Sequence, residues 1–192
     1  MSNPKWFKYE WIWDKKNPKG FLNAKKAPLK NVENILVFYK NLPAYNPQGL
    51  IKVDRKRIND KSKNGTNNTG ISSHNGGKMN GNYVQEFSNY PTQILDFESE
   101  KGLHVTQKPI KLIEYLIKTY TQEGELILDN TAGSGTLAIA AINTNRQYIC
   151  IEKDEHYFEV MRNRIENHDP NVPVKVKKPK AAPKGQLSLF TA

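Results

Sequence analysis

A chain of 192 residues is long enough for one domain with a genuine core. Lysine and arginine number 29 against 19 aspartate and glutamate, a formal charge of +10, which directs attention to a polyanionic partner and to nucleic acid first. The single cysteine, Cys150, lies in an apolar run and has no second thiol for an intrachain disulfide; with no leader-like stretch after Met1 and no apolar run of bilayer length, a reducing, cytoplasmic setting is expected.

In chain order, residues 3–14 alternate around Trp6, Tyr9, Trp11 and Trp13 and predict a strand, its aromatics more often core than a base-stacking platform. Residues 15–34 are polar and basic, and Pro18, Gly20 and Pro28 break any helix there. Residues 34–39 are a second strand, predicted to pair with the first in antiparallel fashion across a long connection. Residues 44–100 change character. Lys52, Arg55, Lys56 and Arg57 form a basic run, and residues 61–82 are dominated by Asn, Gly, Ser and Lys. Such a segment cannot bury enough apolar surface to order itself alone, so it reads either as a disordered insertion or as a cationic loop that orders on DNA phosphates. The basic run tips the reading toward DNA. Strand character returns at residues 91–97. Ile110, Ile113, Leu116, Ile117 and Tyr120 then recur at helical spacing after Pro109 and predict a helix with those residues on its buried face.

The centre of the sequence is the stretch Glu125–Asp154. Residues 125–128 and 147–151 are short apolar runs suited to buried parallel strands, and residues 137–142 are a small apolar helix between them. The first strand ends at Asp129 and the second at Glu152. Gly133 and Gly135 turn the chain between strand and helix, where backbone N–H groups of a helix start face a ligand. An acid at the tip of the second strand suits the two hydroxyls of a ribose. This is a predicted site for a nucleoside-containing cofactor. The Gly133-x-Gly135-x-x-Ala138 spacing satisfies the loose dinucleotide pattern, so a nicotinamide enzyme is a competing reading. Against it stand the wide loop between Asp129 and Gly133 and the lack of a second dinucleotide half after residue 154. The wide loop suits a cofactor with an amino-acid limb, S-adenosylmethionine. A further helix is predicted over Glu155–Asn167, with Tyr157, Phe158, Met161 and Ile165 on one face.

Asp129-Asn130-Thr131-Ala132-Gly133-Ser134-Gly135-Thr136 resembles the D-P-F-A-G-S-G-T cofactor motif of amino-group DNA methyltransferases, which transfer a methyl to adenine N6 or cytosine N4. His104–Pro109 resembles their H-P-T-Q-K-P motif, with Val105 in place of a proline. Residues 151–154 with Tyr157 resemble their ribose-binding strand end. Phe21–Ala24 and Asn34–Lys40 are similar to phage and prophage members. The resemblance covers residues 1 to about 167, and the order of its motifs resembles the permuted arrangement. It implies a Rossmann-like S-adenosylmethionine-dependent α/β fold, with the sheet incomplete in this chain. It divides the chain into the end of a catalytic half (1–43), a target-recognition insertion (44–100), a cofactor-binding half (101–170) and a basic linker with a tail (171–192). Carried over by residue, Asp129 and the turn Thr131, Ala132, Gly133, Ser134 and Gly135 would enclose the methionine limb. Glu152 would hold the ribose, and Thr106 and Lys108 would lie near the cofactor carboxylate. Double-stranded DNA is the implied substrate, with adenine N6 ahead of cytosine N4.

The catalytic motif of that family, D/N/S-P-P-Y/W/F, grips the target amino group. No Pro-Pro pair occurs in the sequence, so no catalytic residue is assigned, and the direct methyl transfer that the resemblance implies needs no metal. The expectation is that Met1 begins inside an ancestral protein and that an upstream polypeptide carries the catalytic motif and neighbouring strands. The chain alone is then expected to be marginally stable or aggregation-prone. A non-catalytic DNA-binding remnant, or one subunit of a split enzyme, is the alternative. At the other end, Gln186, Leu187, Leu189 and Phe190 resemble the Q-L-S/D-L-F peptide that binds the bacterial sliding clamp, carried on a lysine- and proline-rich linker.

Overall fold

A computed structural model describes residues 3–57, 83–100 and 107–169. Thr106, residues 61–82 and residues Gln186, Leu187, Leu189 and Phe190 lie outside the described residues. The remainder forms two compact units, one of residues 47–91 and the other of the chain on either side of it.

The flanking unit begins with a hairpin. Strand β1 (Phe7–Lys19) pairs antiparallel with β2 (Lys30–Phe38), and Trp11 stands opposite Ile35 and Trp13 opposite Glu33. The strands run further than the polarity of residues 15–34 suggests, and the connection is only residues 20–29. Two features carry the extension. Lys15 pairs with Glu33 across the strands, and an irregular register between Asp14 and Lys19 absorbs the left-handed Lys16 (φ 58°). A third strand, β5 (Ile94–Asp96), adds parallel to β1 with Leu95 beside Trp13. The alternation of β1 then delivers its payload. Trp11, Trp13 and Leu95 are 4 %, 2 % and 5 % exposed and pack on Leu112 of helix α1 (Ile110–Tyr120). Both indoles are satisfied: Trp11 Nε1 donates to Tyr120 Oη at 2.6 Å, and Trp13 Nε1 to the Phe97 carbonyl at 2.6 Å.

Helix α1 is buried differently from the single stripe read in the sequence. Its most buried residues are Leu112, Glu114, Ile117 and Thr119. The helix lies between the three-stranded sheet and a second helix, so two faces are covered and a polar residue is taken inside. Glu114 accepts hydrogen bonds from Lys111 Nζ (3.0 Å) and Asn143 Nδ2 (2.6 Å), which makes its burial tolerable. Pro109 is the N-cap rather than the first helical residue.

The central βαβ unit follows the sequence closely. Strand β6 (Leu126–Asp129), helix α2 (Thr136–Asn143) and strand β7 (Gln147–Cys150) run in order, and β6 and β7 pair in parallel with Asp129 opposite Cys150. Ala138, Ile139, Ala140 and Ala141 are fully buried, because small side chains let α2 sit close between its neighbours. Helix α3 (Glu155–Glu166) is capped by Asp154, whose carboxylate accepts from Tyr157 N–H at 3.0 Å. The other face of the β6–β7 pair is bare: Leu126, Leu128, Ile149 and Ile151 are 58 %, 62 %, 48 % and 53 % exposed.

The unit of residues 47–91 holds two strands that the composition of this region conceals. β3 (Ile51–Arg57) and β4 (Tyr83–Ser88) pair antiparallel, with Lys52 opposite Phe87 and Arg57 opposite Tyr83. The basic run Lys52, Arg55, Lys56 and Arg57 is therefore a strand, ordered by backbone pairing despite its charge. Among the described residues no helix is long and apolar enough to cross a membrane.

Candidate functional site

The strand ends of β6 and β7 open onto a pocket of about 520 Å³, within the range of cofactor sites. Of the nine residues expected at the cofactor, seven line it: Lys108, Asp129, Thr131, Ala132, Gly133, Ser134 and Glu152. Gly135 lies behind the lining as the N-cap of α2, and Thr106 falls outside the described residues.

The turn that forms the pocket floor is fixed by backbone chemistry. Ile151 N–H donates to the Asp129 carbonyl (2.8 Å) and Ala132 N–H to the Ile151 carbonyl (3.0 Å), so the pairing of the strands continues into the loop. Asp129 Oδ1 accepts from Thr131 N–H at 3.0 Å. Gly135 takes a left-handed φ of +76° and starts α2 without any side-chain cap, which leaves the helix start open toward the pocket. Gly135 is also the point of closest approach to α3: a Cβ there would stand 2.5 Å from Met161 Cγ.

Glu152 is the most constrained of the acids. One carboxylate oxygen accepts from Asp154 N–H at 2.8 Å and the other from Gly133 N–H at 2.6 Å. The Asp154 and Gly133 amides together hold its carboxyl below the ordinary value of 4.5, against the opposing pull of burial. The acid expected to meet a ribose thus also clamps the glycine turn.

Lys108 reaches the pocket wall, but its ammonium is bonded elsewhere. It pairs with Glu33 Oε2 at 2.7 Å and lies 5.7 Å from the Trp13 ring centre. Burial pushes Glu33 up, and the bonds from Lys108 and Lys15 outweigh that, so its carboxyl lies below its ordinary value. Cys150 is unsuited to nucleophilic work. Burial, with the Asp129 charge, pushes its thiol up to about 11.

Sequence reasoning missed four further lining residues, Gln107, Ile113, Thr136 and Leu137. Ile113 has the helical spacing of a core residue, whereas Thr136 and Leu137 follow directly from the turn that signals them. Arg164 was missed altogether. From α3 its Nη1 donates to the Ser134 carbonyl at 3.0 Å and reaches Ser134 Oγ and Thr136 Oγ1 at 3.4 Å. Ser134 Oγ in turn donates to Gln107 Oε1 at 3.1 Å. Burial lowers the pKa of Arg164, and its Nε and Nη2 are buried without a hydrogen-bond partner among the described residues.

Two strand-end acids, a glycine turn and an open helix start occur in several nucleotide-handling folds. The wider pattern decides between them: the model of the N6/N4 DNA methylase family matches residues 1–163. The chain belongs to the DNA methylase family.

Known relatives of this methylase chain place it further. It is 36 % identical over 93 residues to the type II methyltransferase M2.MboI of Moraxella bovis, covering 48 % of this chain and 34 % of that protein. It is 42 % identical over 66 residues to M.HindIII of Haemophilus influenzae, covering 34 % of this chain and 21 % of that protein. The matched stretch thus spans about a third or less of these curated relatives. Among solved structures, the fold is similar to an M1.HpyAVI–SAM complex with a TM-score of 0.54 and 24 % identity, over 83 % of this chain and 62 % of that one. It is also similar to the cytosine-N4-specific PvuII DNA methyltransferase with a TM-score of 0.51 and 18 % identity, over 85 % and 52 % of the two chains. At these identities the likeness is one of fold, and it makes the α/β architecture of this chain that of the DNA methyltransferases.

Proposed function

We propose that this chain supplies the cofactor site and DNA-facing surface of an S-adenosylmethionine-dependent methyltransferase acting on an amino nitrogen of a DNA base. The observation that carries the reading is the pocket at the ends of β6 and β7, with Asp129 and Glu152 at its rim and the uncapped start of α2 at its floor. The donor set fits the group. Glu152 is a fixed, ionised acceptor for a ribose diol, and the turn 131–135 leaves room for an amino-acid limb. S-adenosylmethionine supplies an electrophilic methyl on a sulfonium. The residues of this chain bind and orient it, and such in-line transfer draws most of its rate from alignment. Lys108 is available to a cofactor carboxylate once it exchanges Glu33 for it, since both partners are singly charged acids.

No Pro-Pro pair occurs among the 192 residues, so this reading assigns the grip on the target amino group to a D-P-P-Y-type motif on a separate stretch of polypeptide. The base has to leave the duplex to meet the methyl group, and adenine N6 is the reading for the target. Transfer of labelled methyl to mixed-sequence DNA tests this. Incorporation is expected only when a polypeptide carrying that motif is added, with the label in N6-methyladenine on nucleoside analysis. Label in N4-methylcytosine would correct the target base. Incorporation by the chain alone would overturn the division of labour.

The sequence also supports a tether to a replicative sliding clamp through Gln186, Leu187, Leu189 and Phe190. A peptide of residues 180–192 is expected to bind the clamp, and to lose binding when Leu189 and Phe190 are both replaced by alanine.

A further inference from the structure

The hairpin of β1 and β2 ends in a feature that the cofactor site does not use. Gly20, at φ +97°, turns the chain into a short 3-10 helix, Phe21–Asn23. Asn23 N–H donates to the Gly20 carbonyl at 2.9 Å, and the N–H groups of Lys26 and Ala27 to the Asn23 carbonyl at 2.8 and 2.9 Å. The tip is therefore a structured turn. On it, Phe21 is 69 % exposed and Leu22 102 %. An ordered turn that holds two large apolar side chains largely in water has the form of a contact surface.

The charge around that pair names the partner. Lys19, Lys25, Lys26 and Lys30 are all exposed and make no ion pair among the described residues. Lys15 and Lys16, further back along β1, are by contrast matched to Glu33, Asp14 and Asp96. Between Asp14 and Glu33 the sequence contains no acid. The tip thus presents an apolar pair flanked along the chain by exposed lysines that make no ion pair among the described residues.

We propose that this tip is a DNA-contacting wedge: its lysines hold backbone phosphates while Phe21 and Leu22 press against base pairs from a groove. The inference rests on the DNA methyltransferase reading and adds a contact outside both the cofactor pocket and the unit of residues 47–91. Each lysine on a phosphate releases a condensed counterion, which gives the contact its salt dependence. Phenylalanine and leucine side chains inserted at base steps unstack them, and a methyltransferase needs an opened stack.

The test is fluorescence anisotropy of the full chain with a labelled mixed-sequence duplex over a series of salt concentrations. All the replaced residues are exposed, so the variants keep the fold; near-ultraviolet circular dichroism of Trp11 and Trp13 checks this. Lys25→Ala with Lys26→Ala is expected to lower the slope of log K against log salt by about 2, from about 0.9 per phosphate contact. Phe21→Ala with Leu22→Ala is expected to weaken binding roughly tenfold, the size of a lost apolar contact of one to two side chains, with the slope unchanged. A parent chain that binds DNA, with both variants binding equally well, overturns the wedge and leaves the methyltransferase reading standing. A folded parent chain that does not bind DNA at all overturns both. If Phe21→Ala with Leu22→Ala alters only self-association by sedimentation, the tip is a protein contact and the proposal fails.

Discussion

The Glu152 carboxylate accepts a 2.6 Å hydrogen bond from the Gly133 N–H, so the acid that ends one strand fixes the turn that follows the other. The geometry of the glycine turn therefore depends on the same side chain that is proposed to hold a ribose. Because its folded pKa is depressed below 4.5, the stabilisation from Glu152 is fully present above about pH 4.5 and is lost as pH falls through the folded value. Glu152→Gln removes this acid dependence, and Glu152→Ala also releases Gly133. Cofactor affinity against pH for the three proteins checks this: Glu152→Ala is expected to lose tenfold or more at neutral pH.

Arg164 acts on the same turn from the opposite side. Its guanidinium holds the Ser134 carbonyl, and charge-assisted bonds of this kind contribute about 1.5–3 kcal/mol. Arg164→Met is expected to lower stability by about that much and to weaken cofactor binding. Arg164→Lys recovers little, because a lysine cannot span Ser134 and Thr136 with one planar group. Denaturant titration and calorimetry of both variants measure the two effects.

Gly135 and Met161 form a coupled pair. A methyl at Gly135 meets Met161 Cγ at 2.5 Å and stands on a left-handed backbone, which alone costs about 1–2 kcal/mol. Gly135→Ala is expected to destabilise by more than that, since Met161 is buried and has little room to yield. Met161→Ala removes the clash and leaves the backbone strain. In a double-mutant cycle the two losses are expected to fall short of additivity by at least about 0.5 kcal/mol. Strict additivity would contradict the contact.

The bare face of the β6–β7 pair makes a prediction about solution behaviour. Leu126, Leu128, Ile149 and Ile151 form an exposed apolar surface on a two-stranded sheet, a setting that favours association. Leu128→Lys is expected to reduce aggregation on heating and to change unfolding free energy by less than about 1 kcal/mol, as for other exposed sites. Light scattering and denaturant titration report the two quantities. A large loss of stability would show that Leu128 is part of a packed core.

The βαβ unit was legible in the sequence because its signals are local. The apolar runs at 125–128 and 147–151, the glycines and the small apolar helix each specify their own geometry, the strands falling within a residue of those runs, and seven of the nine expected pocket residues line one cavity. The misses share a different origin. Glu114 is buried because Asn143 and Lys111 reach it, and Arg164 matters because α3 passes beneath Ser134; both depend on partners distant in sequence. Strands β3 and β4 were hidden for a related reason. A lysine- and arginine-rich stretch such as β3 has weak strand character, and its antiparallel register with β4, from Ile51 opposite Ser88 to Arg57 opposite Tyr83, orders it.

What the pocket beside Gly133 and Glu152 binds is decisive. Isothermal titration of S-adenosylmethionine and of NADH into the folded chain, with Glu152→Ala in parallel, measures that most directly. Saturable binding of S-adenosylmethionine is expected, at least tenfold weaker in Glu152→Ala, with no competition by NADH. Binding of NADH in preference, or S-adenosylmethionine binding indifferent to Glu152, would contradict it.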